Sequence, residues 1–305
     1  MISPLHQELA RSPALRRAVS GAGFDPDLVR GLSETRLWEM LECTSIFSGA
    51  SIFSGASIFS EPEQFPWAGN TNVVAMFIAD AEHITLAGAD VASLTTQQAY
   101  TAGGSPTTYT WTQSDTGLDP VWEPSGFNGR GSVRGDGTEW MGTPDLHGFI
   151  QGDTSFIVVT VFQQLTNANN DRLWSAANTA NNTDFHEFYD DSIASSYSSF
   201  RRGGGTTREI TSSAAPDTSR HIWTVRFVAD GTDQVAFYQD GNVDTALTNS
   251  NVTVGTLNNT TLFGRRVNST SGSLLTDMRV RAQAWIQNDD TDAMNAIHAH
   301  FASQL

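Results

Sequence analysis

Residues 184–191 read Asp-Phe-His-Glu-Phe-Tyr-Asp-Asp, and Tyr197 and the pair Arg201-Arg202 follow closely. Carboxylates, an imidazole, phenols and guanidinium groups this close together suit three chemistries: hydrogen bonding to glycan hydroxyls, coordination of Ca²⁺, and general acid–base work on a glycosidic bond. A solvated strand and loop is the ordinary alternative. In an extended backbone Asp184, His186 and Asp190 share one side and Glu187 and Asp191 the other. Trp111, Trp122, Trp140 and Trp174 add candidate planes for stacking on sugar rings. Trp140 lies between Gly137 and Gly142 in a loop-like run and is the one expected to be exposed. The candidate glycan contacts are therefore Trp140, His186, Glu187, Tyr189, Asp190, Asp191, Tyr197 and Arg201.

Other chemistries find little support. Cys43 is the single cysteine, so neither an intrachain disulfide nor a cysteine-based zinc site can form. His298 and His300 are two apart on a predicted helix, roughly 200° around it, a spacing that cannot chelate one ion. No Gly-rich phosphate loop leads from a strand into a helix, and no Ser/His/Asp signature is visible. No catalytic residue, metal ligand or cofactor is expected, and Ca²⁺ is possible but not indicated.

The elements that must carry this cluster read as strands. From His221 to Val243, Trp223, Val225 and Phe227 alternate with Thr224, Arg226 and Val228, the pattern of a half-buried strand ending at the turn pair Asp230-Gly231. A second strand, Val235 to Gln239, ends at Asp240-Gly241, which makes an antiparallel hairpin. Further strands are expected at Val73 to Ala79, Thr107 to Thr112, Phe156 to Phe162, Arg172 to Ser175, Thr260 to Phe263 and Arg279 to Ile286. The last residues, from Asp289, form an amphipathic helix with acidic residues at its start and Met294, Ile297, Phe301 and Leu305 on one face.

The Trp-opened strand, the Asp-Gly-Thr turn and the closing Tyr-x-Asp-Gly resemble the laminin-G or concanavalin A-like jelly roll. Phe127-Asn-Gly-Arg-Gly-Ser-Val-Arg-Gly-Asp-Gly137, followed by the strand from Ser155 to Phe162, is similar to such domains in virion proteins of tailed phages and gene transfer particles. Leu262-Phe-Gly-Arg265, the strand Met278 to Ile286 and the final helix match the way those domains close. The resemblance covers roughly residues 70 to 305. It implies a mainly β sandwich of antiparallel strands and a virion appendage: a head spike, head fibre or tail fibre subunit that binds host polysaccharide. The Glu-x-Asp-x-x-Glu motif of jelly-roll glycoside hydrolases is absent, as are the signatures of jelly-roll alginate lyases. The expectation is therefore a non-enzyme, with a polysaccharide depolymerase or a purely structural capsid decoration protein as alternatives.

Upstream the chain changes character. Residues 1–44 carry signals for short helices, with Leu37, Trp38, Met40 and Leu41 on a partly apolar face, and read as a segment docking to other virion proteins. Ser45-Ile-Phe-Ser-Gly-Ala50 then repeats as Ser51 to Ala56 and begins again at Ser57. A six-residue period fits no helix face, but in an extended chain Ile46, Ile52 and Ile58 share one side and Phe47, Phe53 and Phe59 the other. Such a segment needs covering, most simply by symmetry mates, so residues 45–69 read as an oligomeric neck and linker; a tandem duplication in a loop is the plain alternative. The expected domains are 1–44, 45–69 and 70–305, in a homo-oligomer.

Charge bounds the partners. There are 33 acidic and 17 basic residues, all of the latter Arg, for a net charge of −16. A surface this negative repels nucleic acid and anionic membranes and argues for a target that is not strongly anionic. No apolar run is long enough to span a bilayer, and the N-terminal residues lack the apolar core of a signal peptide. The expected location is the virion, with synthesis in the host cytoplasm.

Overall fold

Alternation along the central strands sets the architecture. In the computed structural model the described residues are 65–305, apart from 102–103, 114–117, 144–145, 147, 167–170, 192–195, 230–233, 249–251 and 268–274. The docking residues Leu37, Trp38, Met40 and Leu41, and the neck residues Ile46, Phe47, Ile52, Phe53, Ile58 and Phe59, lie outside them. Strand β9 (Phe156–Gln164) sends Phe156, Val158 and Phe162 into one apolar cluster and Ile157, Val159 and Val161 into another. A strand apolar on both sides must be covered on both sides. The first cluster fills the space between two sheets; the second is closed by the helix α1 (Thr291–Ala302).

Among the described residues the strands in chain order are β1 (Val73–Ile78), β2 (Ile84–Ala87), β3 (Asp90–Thr95), β4 (Gln98–Ala99), β5 (Thr110–Thr112), β6 (Val121–Phe127), β7 (Arg130–Asp136), β8 (Met141–Thr143), β9, β10 (Arg172–Ala177), β11 (Phe185–Asp191), β12 (Ser196–Gly203), β13 (Thr206–Thr211), β14 (Arg220–Val228), β15 (Gln234–Gln239), β16 (Asn242–Thr248), β17 (Asn259–Leu262) and β18 (Asp277–Gln287). Every pairing is antiparallel. The first layer runs β16-β15-β14-β9-β18, and the far edge of β18 pairs with β7 through Asp277–Val280 and with β1 through Ala282–Ile286. The second layer runs β13-β12-β11-β10-β17-β8-β5-β3-β2. Residues Asp90 and Val121 join the layers at one edge, through β3 and β6. The jelly-roll expectation holds: the described residues form a mainly β antiparallel sandwich with one α-helix, at the C-terminal end.

The predicted hairpin is β14-β15, with Val228 opposite Gln234, and β16 extends it beyond Asp240-Gly241. Asp240 and Gly241 have φ of 51° and 86°, and Asn128 and Gly129 have 53° and 77° at the β6–β7 turn. These positive pairs match the twist of the strands they join. Strand β14 is buried on both faces rather than one. Trp223, Val225 and Phe227 enter the inter-sheet core, Ile222 faces the helix, and Thr224 Oγ1 meets His298 Nε2 at 2.7 Å.

Helix α1 presents Met294, Ile297 and Phe301 to the first sheet, as their spacing predicts, and Leu305 packs beside them. Asp290 caps it, accepting from the Ala293 N–H at 2.9 Å and from the side-chain amides of Asn70 and Asn72, each at 2.9 Å. Burial opposes the charge of this carboxylate, but the donors outweigh it and lower its pKa. Trp67, in the stretch read as linker, is buried against Phe301 and His300 and stacks on Phe65.

Candidate functional site

Strand β11 divides the sequence-predicted cluster between its two faces. His186 and Asp190 point between the sheets, joined there by Tyr197 and Arg201 of β12. His186 is 2% exposed, and its Nε2 lies 2.7 Å from Ser199 Oγ between the rings of Phe156 and Trp174. Burial, helped by the nearby Arg201 charge, holds its pKa well below the ordinary value. Asp190 accepts from Gln164 Nε2 at 2.6 Å, and Gln164 Oε1 accepts from the Tyr197 hydroxyl at 2.8 Å. Arg201 donates to the Gly152 carbonyl at 2.8 Å and lies 3.8 Å over the ring of Phe227. These four side chains are bonded to Ser199, Gln164 and the Gly152 carbonyl inside the sandwich, out of reach of a ligand at the surface. Alternation divides His186 and Asp190 from Glu187 as expected, but the inner side is enclosed between the sheets.

The other half of the cluster lies on the outer face of the second sheet. Residues directly opposite across neighbouring strands point the same way, and the register runs Gly142, Thr261, Ser175, Glu187, Phe200, Glu209 across β8, β17, β10, β11, β12 and β13. Glu187, 1% exposed at its side chain, accepts from Arg172 Nε at 2.7 Å and from Arg265 Nη1 at 3.1 Å. A carboxylate this deep needs such partners, since an unpaired buried charge is very costly. The Arg172 guanidinium also lies 4.1 Å over the ring of Tyr189, whose hydroxyl donates to Glu209. Asp191 stands opposite Ser196 at the end of β11.

Trp140 belongs to this face but is not exposed; at 3% exposure it is covered rather than free to stack on a sugar. The Arg266 guanidinium sits 4.6 Å over its ring, and both adjoin Gly142, where a Cβ would stand 3.2 Å from Arg266 Nη1 and from the indole. Trp111 and Trp174 are fully buried between the sheets, and Trp122 is half-buried against that core.

Sequence reasoning missed Arg172, Arg265 and Arg266. The pair Arg265-Arg266 sits in the connection after β17, where only its first residue marked the end of a strand motif. Two carboxyls flank the assembly with altered acidity. Burial, and then repulsion from Asp190, raises Asp171 to about 6, and burial raises Glu139, next to Trp140, to about 7. Among the described residues no group of three or more His, Cys, Asp or Glu side chains is placed to hold a metal ion. No helix among them is long and apolar enough to cross a membrane.

No family model and no curated protein matches the chain. Solved structures do. Botulinum neurotoxin type C, in a structure concerned with its interaction with two ganglioside molecules, aligns at 12% identity and a TM-score of 0.50 over 77% of this chain and 53% of its own. The CBM40 of a Ruminococcus gnavus IT-sialidase, bound to α2,3-sialyllactose, aligns at 11% identity and a TM-score of 0.41 over 47% of this chain and 82% of its own. The neurotoxin alignment shows a shared β-sandwich fold.

Proposed function

We propose that residues 65–305 form a non-catalytic glycan-binding domain whose site is the outer face of the second sheet. The observation that carries this is the convergence of β8, β10, β11 and the connection after β17 on one face, where Arg172, Glu187 and Arg265 interlock beside Tyr189, and Arg266 rests on Trp140. The inter-sheet core does not require these charges. Guanidinium groups held by fixed strands suit hydroxyl-rich ligands as donors. A neurotoxin whose structure concerns ganglioside interaction shares the fold, so the scaffold is compatible with such a role. Two carboxylates of the cluster are engaged within the fold: Asp190 accepts from Gln164 between the sheets and Glu187 is held by two guanidinium groups.

In the whole chain the hexapeptide repeat supports a finer reading. Residues 1–44 dock to a particle, residues 45–64 oligomerise, and the sandwich meets host polysaccharide as a virion appendage, where several weak sites act at high effective concentration. Light scattering on size-exclusion fractions of the full chain mixed with candidate host polysaccharide tests this. Co-elution with polymer of unchanged length is expected. Progressive shortening of the polymer contradicts the non-catalytic assignment, and separate elution contradicts binding.

A further inference from the structure

We infer that His221 is a proton-operated latch: as the imidazolium it ties the β13–β14 connection to the β15–β16 turn, and as the neutral ring it keeps the connection and releases the turn. The latch belongs to the first sheet, apart from the binding face proposed above. It works whether or not a glycan is bound.

The ring of His221, at the start of β14, stands between two carboxylates from different segments. Its Nε2 is 2.9 Å from Asp217 Oδ1, in the connection formed by residues 212–219, and its Nδ1 is 3.0 Å from Asp240 Oδ2, in the turn after β15. A carboxylate only accepts, so both contacts need a proton, and only the imidazolium carries two. Nδ1 has a second neighbour, the side-chain amide nitrogen Nε2 of Gln239, at 3.2 Å. That amide is a donor, and one ring nitrogen cannot give a proton to Asp240 while taking one from Gln239. Nδ1 therefore has one partner for each protonation state. The ring's Nε2 faces Asp217 alone among the described residues. The neutral ring thus keeps its proton on Nε2, bonded to Asp217, and Nδ1 accepts from Gln239.

The surroundings place this exchange above the ordinary histidine range. The charged groups acting on the ring are Asp240 and Asp217, while across the ladder β9 presents Phe162, which carries no charge. Burial opposes the imidazolium, but the bonds to Asp240 and Asp217 outweigh it, so the proton is held to a pH above 6.5. From α1, His298 is the titratable neighbour of Asp240; burial lowers it to about 4, so it stays neutral over this range. Asp240 is held at a φ of 51°, and its other oxygen accepts from the Ile222 N–H at 2.8 Å. Next to it, a Cβ on Gly241 would stand 3.7 Å from His298 Nδ1. Loss of the His221 proton therefore loosens the turn where β14, β15, β16 and the helix meet.

Nitrogen NMR of the imidazole rings in the full chain, with amide exchange measured across the same range of about pH 5.5 to 9.5, tests the latch. The His221 ring is expected to titrate above the ordinary value and to end as the neutral tautomer with its proton on Nε2. Protection of the Ile222 amide, which reads Asp240, falls over the same range once the intrinsic pH dependence is removed. Gln239→Leu takes away the partner of the neutral ring and raises the midpoint by about half a pH unit or more. Asp240→Asn removes the charge, keeps a residue that tolerates positive φ, and lowers the midpoint by about one unit or more. A neutral ring protonated on Nδ1, or a midpoint that Gln239→Leu leaves unchanged or lowers, overturns the exchange of partners. An Ile222 amide equally protected at both ends of the range overturns the release of the turn.

Discussion

Glu187 shows most directly how one residue holds the outer face together. Its carboxylate is the shared acceptor of Arg172 and Arg265, so Glu187→Ala leaves two guanidinium groups facing each other across the vacated space. Loss of about 3 kcal/mol is expected in chemical denaturation, the order seen when one member of a buried ion pair is removed. A change within a few tenths of a kcal/mol would show that the pair contributes little. Glu139 behaves oppositely. Burial raises its carboxyl to about 7, so the neutral form is favoured in the fold. Stability from a raised carboxyl is present below the unfolded value of about 4.3 and lost as pH rises towards 7. Glu139→Gln should therefore be more stable than the parent at pH 8, read as a higher unfolding midpoint, and closer to it at pH 4.

His221 gives the same logic in a second place. At 8% exposure its Nδ1 meets Asp240 at 3.0 Å and its Nε2 meets Asp217 at 2.9 Å. Burial disfavours its charge, but the hydrogen bonds to Asp240 and Asp217 outweigh that and raise its pKa. Only the imidazolium can donate to both carboxylates. A raised histidine stabilises fully below its unfolded pKa, about 6.5, and the contribution is lost as pH rises through the higher folded value. The stability gap between the parent and His221→Gln should narrow from pH 6 to pH 9. A constant gap would contradict the double hydrogen bond.

At the scale of elements, α1 is fixed at its start by one residue. Asp290 caps the helix and gathers Asn70 and Asn72, which ties the helix to the chain entering β1. Asp290→Ala should cost about 1–2 kcal/mol, typical of a lost cap with added polar contacts, and lower the thermal midpoint accordingly. This helix was legible in the sequence because acidic residues precede an apolar stripe at helical spacing. Strands β9 and β18 were legible from apolar residues on both faces, and β14 from the alternation of Trp223, Val225 and Phe227.

Strands β12 and β13 were not. Ser198, Ser199, Arg201, Arg202, Thr206 and Thr207 carry little apolar periodicity, because β13 is an exposed edge and β12 buries Arg201 and Ser199 where an aliphatic side chain would ordinarily signal a core. The candidate site was half legible for the same physical reason. The polar run on β11 was visible, but its division into an inner network and an outer face depends on the partners opposite each residue. Arg172, Arg265 and Arg266 arrive from other segments, and only the strand register brings them to Glu187 and Trp140.

At the scale of the whole molecule, a chain of net charge −16 brings Arg172, Arg265 and Arg266 to one face of the sandwich. The proposed neck makes a separate prediction. Deleting residues 1–64 should leave the strand-dominated circular dichroism spectrum in place while lowering the oligomeric state; an unchanged mass in light scattering would contradict the neck. Hydrogen exchange of the full chain with and without a saturating saccharide identified by titration tests the binding face itself. The account predicts slowed exchange in 139–143, 172–177 and 264–267, on the outer face of the second sheet. Protection confined to β14, β15 and the helix, with those segments unchanged, would place the site on the opposite side of the molecule and contradict it.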